Sequence, residues 1–123
     1  MNTKRVVVVE DSAPLAILVE TLLKYEGYQV VGLAPSVHKA QKLIEDTEFD
    51  VAIIDANLKG DSAEPIAQRL REMGIPYVVM SGYLKEQIGP WVADKKIIRK
   101  PFLIEELIEE IESASNPDQP VAG

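Results

Sequence analysis

The chain has 123 residues, enough for one hydrophobic core but not two, so a single domain is expected. Its hydrophobic fraction of 46% and charged fraction of 27% fit an ordinary globule, and a net charge of −7, from 20 acidic against 13 basic residues, argues against direct DNA binding or attraction to an anionic membrane. There is no cysteine for a disulfide or for thiolate chemistry, and no apolar run forms a secretory leader or approaches the roughly 20 residues of a membrane span, which is compatible with a cytoplasmic setting.

In chain order, Val6, Val7, Val8 and Val9 form a β-branched run without polar alternation, which predicts a strand buried on both faces over residues 4–10. Glu10, Asp11 and Ser12 stand at its exit. Pro14 suits the first turn of a helix, and Leu15, Leu18, Val19, Leu22 and Leu23 recur at helical spacing until Gly27. Val30, Val31 and Leu33 mark a shorter strand over residues 29–34, and Pro35-Ser36 opens a second helix with Val37, Ala40, Leu43 and Ile44 on its inner stripe.

Val51-Ala52-Ile53-Ile54 then makes a third buried strand that runs into Asp55-Ala56-Asn57. Gly60-Asp61 predicts a turn, and Asp61-Ser62-Ala63-Glu64 has the form of a capping box for a third helix with Ile66, Leu70 and Met73 inward, ended by Gly74 and Pro76. Tyr77-Val78-Val79-Met80-Ser81 is a fourth strand followed by a loop at Gly82-Tyr83. Gly89-Pro90 interrupts the weak pattern of Ile88, Trp91 and Val92, so the fourth helix should be short or kinked. Ile97-Ile98-Arg99 is a brief fifth strand leading to Lys100-Pro101. The last helix, over residues 103–114, turns Ile104, Leu107, Ile108 and Ile111 inward and a run of glutamates to water. Residues 116–123, with two prolines and a glycine, read as a disordered tail after a domain spanning 1–115.

Five strands alternating with five helices predict an α/β fold. Its parallel sheet is doubly wound and flavodoxin-like, with right-handed crossovers and strand order 2-1-3-4-5. That order makes the first and third strands neighbours and brings Glu10 and Asp11 beside Asp55. Each acid alone could simply favour a turn or a helix N-terminus. Together, three carboxylates with no His or Cys suit Mg²⁺, or Mn²⁺, which take oxygen ligands. Ser81 and Lys100 leave the fourth and fifth strands on the same edge. Singly they could be a satisfied hydroxyl and a plain salt-bridge partner. A carboxylate nucleophile, a divalent cation, an ammonium and a hydroxyl are together what phosphoryl transfer to an aspartate requires.

With Glu10-Asp11, Asp55, Ser81 and Lys100-Pro101-Phe102 each following its strand, the chain resembles the receiver domains of two-component response regulators. The resemblance implies a phosphoprotein of phosphorelay signalling, which catalyses only its own phosphorylation and dephosphorylation and is otherwise no enzyme. Asp55 would be the phosphoacceptor. Asp11, Asp55 and the main-chain carbonyl of Asn57 would bind Mg²⁺, with Glu10 acting mostly through a metal-bound water. Ser81 and Lys100 would hold phosphoryl oxygens, the Lys100–Pro101 peptide would be cis, and Asn57 and Tyr83 would tune the lifetime of the acyl phosphate. The implied partners are a histidine kinase or phosphotransfer protein and a downstream protein.

The family's aromatic switch residue is replaced here by Ile97. The residues from Pro76 to Tyr83 partly match an alphaproteobacterial subgroup of stand-alone receivers marked by Phe-Ala-Thr-Gly-Gly/Tyr, in which Tyr83 would assume part of that role. Output is expected through docking on residues 83–98, with Trp91 prominent. His38, the only histidine, falls away from the site. Three alternatives compete. A phosphatase of the haloacid dehalogenase type would want Asp-x-Asp on the first strand. A flavodoxin would want a Ser/Thr/Gly-rich phosphate loop where Glu10-Asp11 stands. A degenerate receiver would act as a phosphorylation-independent scaffold.

Overall fold

The computed structural model describes residues 4–115, and the expected tail at 116–123 lies outside the described residues. The main sheet is built from β1 (Arg5–Val9), β2 (Gln29–Ala34), β3 (Val51–Asp55), and two later strands, β6 (Tyr77–Ser81) and β7 (Ile97–Arg99). All pair in parallel in the order β2-β1-β3-β6-β7. Between β3 and β6 in sequence, β4 (Asn57–Leu58) and β5 (Asp61–Ser62) form a separate antiparallel hairpin just past β3. With that hairpin set aside, the five main strands follow the expected 2-1-3-4-5. The hairpin itself is an addition to the expected fold, since two-residue strands carry no periodicity to read.

The helices are α1 (Ala13–Tyr25), α2 (Val37–Asp46), α3 (Glu64–Met73), α4 (Lys85–Ile88) and α5 (Ile104–Ser115). Strand residues alternate strictly between two cores. Val7, Val9, Ala52, Ile54, Tyr77 and Val79 face the side covered by α2 and α3. Val6, Val8, Val51, Ile53, Val78 and Met80 face α1 and α5. Each fully buried Val, Leu or Ile contributes about 1.5–3 kcal/mol, and both faces of β1 and β3 are sealed, which is why those strands lack polar alternation.

The helix ends are fixed by local side chains and backbone. Ser12 and Ser36 cap α1 and α2 through their hydroxyls, and Gly74 ends α3 in the left-handed region at φ 71°. Three expectations are corrected. Leu18 lies on the exposed side of α1, 52% accessible, because the buried stripe runs through Ala16, Val19 and Leu23. The capping box at α3 is replaced by Ala63 at the cap position, without a side-chain cap, while the Ser62 hydroxyl accepts the Glu64 amide at 3.1 Å. Ala63 is fully buried and donates its own amide to the Ala56 carbonyl at 2.9 Å, which fixes the chain one residue further along.

The third correction concerns Trp91. The fourth helix is indeed short, followed at Gly89 by a single 3-10 turn over Pro90–Val92. That turn drives Trp91 inward to 6% exposure among the residues of the α2/α3 core, so it is not a docking residue.

Candidate functional site

The carboxyl ends of β1, β3, β6 and β7 meet on one edge of the sheet. The strand-end amides hold them there: Glu10 N donates to Ala34 O at 3.0 Å, Ala56 N to Met80 O at 2.9 Å and Lys100 N to Ser81 O at 2.9 Å. Glu10, Asp55 and Ser81 are all buried at this edge, at 1%, 5% and 0% exposure, and Asp11 is partly exposed beside them. Burying such groups is costly unless each is paired. The pairing comes from Lys100, whose Nζ donates to Glu10 Oε1 at 2.6 Å and to Asp55 Oδ2 at 2.7 Å. The Lys100–Pro101 peptide just after β7 is cis, as the resemblance implied.

Main-chain amides complete the set. Glu10 Oε2 accepts from Ser12 N at 2.9 Å, Asp55 Oδ1 from Asn57 N at 3.2 Å and Asp11 Oδ2 from Lys59 N at 2.9 Å. The Ser81 hydroxyl accepts from Tyr83 N at 2.9 Å, so it is engaged with the following loop. Burial, joined by a hydrogen bond shared with Asp11, pushes the Glu10 carboxyl up to about 7, although Lys100 and the Ser12 amide oppose the shift. Asp11 is correspondingly held below the usual carboxylate range, first by that hydrogen bond with Glu10 and also by the Lys59 amide. Burial works against the charge on Lys100, but its bonds to Asp55 and Glu10 outweigh this and raise its pKa.

One ligand oxygen from each of Glu10, Asp11 and Asp55 lies within 4.8 Å of the others, an all-oxygen donor set that fits a hard divalent cation. Asp11 and Asp55 border an open cavity of about 480 Å³, whose rim includes Asn57, Lys59, Tyr83 and Lys100. Tyr83, 51% exposed, also borders a second cavity of about 290 Å³ between the β4–β5 hairpin and α4. Ile97 is partly buried against the α2/α3 core and pairs with Val79, away from the carboxylates. Pro101 is exposed, and His38 lies exposed on α2.

The residue that sequence reasoning missed is Lys59. The available signal was Lys59-Gly60 two residues after Asn57: the hairpin turn needs positive φ at both central positions, and these residues have φ of 54° and 89°.

A family model described as the response regulator receiver domain matches residues 6–112. The chain is 31% identical over 113 residues to the regulatory protein VanR of Enterococcus faecium, covering 89% of this chain and 48% of that protein. The chain spans about half the length of the curated relatives it matches. Among solved structures, SdrG from Sphingomonas melonis Fr1 superposes with a TM-score of 0.81 at 27% identity, covering 93% of this chain and 98% of that one. The response regulator TrrA of Thermotoga maritima, solved in complex with Mg(2+)-BeF, gives a TM-score of 0.80 at 23% identity, covering 91% and 99%.

Proposed function

The chain belongs to the response regulator receiver domains, and from that premise we propose that it is a phosphoryl-accepting signalling switch with Asp55 as the acceptor. The observation that carries this reading is the paired burial of Asp55 and Glu10 around one ammonium, open to a cavity at the strand ends. An Asp55 oxygen attacks the phosphorus of a phosphohistidine in line. The new P–O bond forms as the P–N bond breaks, and the released imidazole keeps the electron pair and takes a proton from water. Lys100 stands at 2.7 Å from Asp55 to neutralise charge as it builds on the phosphoryl oxygens. Ser81 exchanges its bond to the Tyr83 amide for one to the phosphoryl group, and that exchange is what the loop after β6 senses.

Glu10, Asp11, Asp55 and the carbonyl of Asn57 would hold Mg²⁺, or Mn²⁺ in its place, which when bound supplies further neutralisation of phosphoryl charge. TrrA, which shares this fold, was solved in complex with Mg(2+)-BeF, in keeping with a cation requirement. A histidine kinase or phosphotransfer protein is the proposed donor. Downstream docking is assigned to residues 83–98, where Tyr83 and Leu84 supply exposed apolar surface in place of Trp91, and Asn57 and Tyr83 border the cavity through which water reaches the acyl phosphate.

The test is the intact mass of the native protein and of Asp55→Asn after incubation with acetyl phosphate and Mg²⁺. A gain of one phosphoryl group confined to the native form is expected. No gain in either form would replace this reading with the phosphorylation-independent scaffold.

A further inference from the structure

We propose that Lys59 is a positioning residue of the site that acts through its main chain: the left-handed turn at Lys59-Gly60 aims the Lys59 amide at Asp11 and fixes that carboxylate's orientation. The inference rests on the proposed function for what Asp11 does, but not for the hydrogen bond itself.

Lys59 N donates to Asp11 Oδ2 at 2.9 Å across 48 positions of sequence, a bond by which the β4–β5 hairpin reaches back to the exit of β1. The hairpin is anchored at its base, where Leu58 is 1% exposed in the core and Ala63 N bonds to Ala56 O. Its tip is locked by Gly60 N donating to Asn57 Oδ1 at 2.8 Å. Between anchor and lock, the direction of the Lys59 amide is set by its φ of 54°. That region suits Gly and Asn and is disfavoured for other side chains, so lysine is a poor choice for the turn alone. At the start of β4, Asn57 N donates to Asp55 Oδ1, so the amides of one short hairpin meet a carboxylate from β1 and one from β3. Groups that orient a ligand in this way typically contribute 10–100-fold to metal affinity.

The test separates the amide from the ammonium. Lys59→Gly, Lys59→Asn, Lys59→Ala and Lys59→Val are compared for Mg²⁺ affinity by calorimetry, with Mg²⁺ alone and no phosphodonor. Affinity should follow tolerance of the left-handed region: Gly and Asn equal to or tighter than native, Ala slightly weaker, and Val weaker by about tenfold. Uniform weakening in Gly, Asn and Ala would assign the effect to the ammonium and overturn the proposal, as would a Val variant that binds like the native chain. In metal-free protein, Asp11→Ala should move the Lys59 amide proton resonance upfield and speed its exchange. An unmoved resonance would overturn the proposal even if Mg²⁺ binds. If native protein shows no Mg²⁺ binding, the proposed function has lost its cation, and the amide resonance alone decides for or against Lys59.

Discussion

Lys100 satisfies two buried carboxylates with one ammonium, so replacing it should be felt in both chemistry and folding. Lys100→Met is expected to slow phosphoryl uptake from acetyl phosphate by roughly 10²–10³-fold, the usual loss when a preorganised charge partner is removed. Its stability cost depends on pH. The folded Glu10 carboxyl titrates at about 7 against an ordinary 4.5, so the folded protein holds an extra proton across that window. Stability from this group is therefore full below 4.5 and lost as pH rises through 7. Without Lys100 the ionised form has lost its cation, and the variant's deficit in urea unfolding should be larger at pH 8 than at pH 5. Equal deficits would refute the assignment. The positions of Glu10, Asp11, Asp55, Ser81 and Lys100 were legible because each lies within two residues of the end of an apolar run at the same sheet edge. The present partner of Ser81 was not legible, since a hydroxyl's direction depends on its rotamer and on the path of the next loop.

At the scale of elements, long periodic segments were readable and short irregular ones were not. The strands and α5 declare themselves by β-branched runs and a clean apolar stripe. The stretch after β6 hid its direction, because Gly89 at φ 130° and Pro90 break any period, and the inward side of Trp91 is fixed only by packing against residues distant in sequence. Arg71 reinforces that packing by donating to the Trp91 carbonyl at 2.6 Å. Trp91→Ala should thus behave as a core truncation and cost about 3–5 kcal/mol in chemical unfolding. Leu84→Ala, 48% exposed on the same stretch, should cost under about 0.5 kcal/mol, as surface substitutions do. If Trp91→Ala were as mild as Leu84→Ala, the core assignment of the 3-10 turn would be wrong.

For the whole molecule, the site is where an excess of acid becomes useful. A net charge of −7 works against compaction, and three of the carboxylates are gathered within 4.8 Å, two of them sharing the Lys100 ammonium. A divalent cation that binds only the folded arrangement removes this repulsion and stabilises the entire fold by mass action, since the strand ends that bring the acids together exist only in the native state. At a Mg²⁺ concentration 100 times its Kd the gain is about 2.7 kcal/mol, measurable as a rise in the thermal midpoint. The proton on Glu10 must leave for that carboxylate to be anionic, so the gain at fixed Mg²⁺ should be smaller at pH 6 than at pH 8, with the change centred near 7. Asp11→Asn should abolish most of it at either pH. A thermal midpoint that rises equally with Mg²⁺ and with matched ionic strength from NaCl would mean that diffuse screening of the acidic surface, and not this cluster, carries the effect.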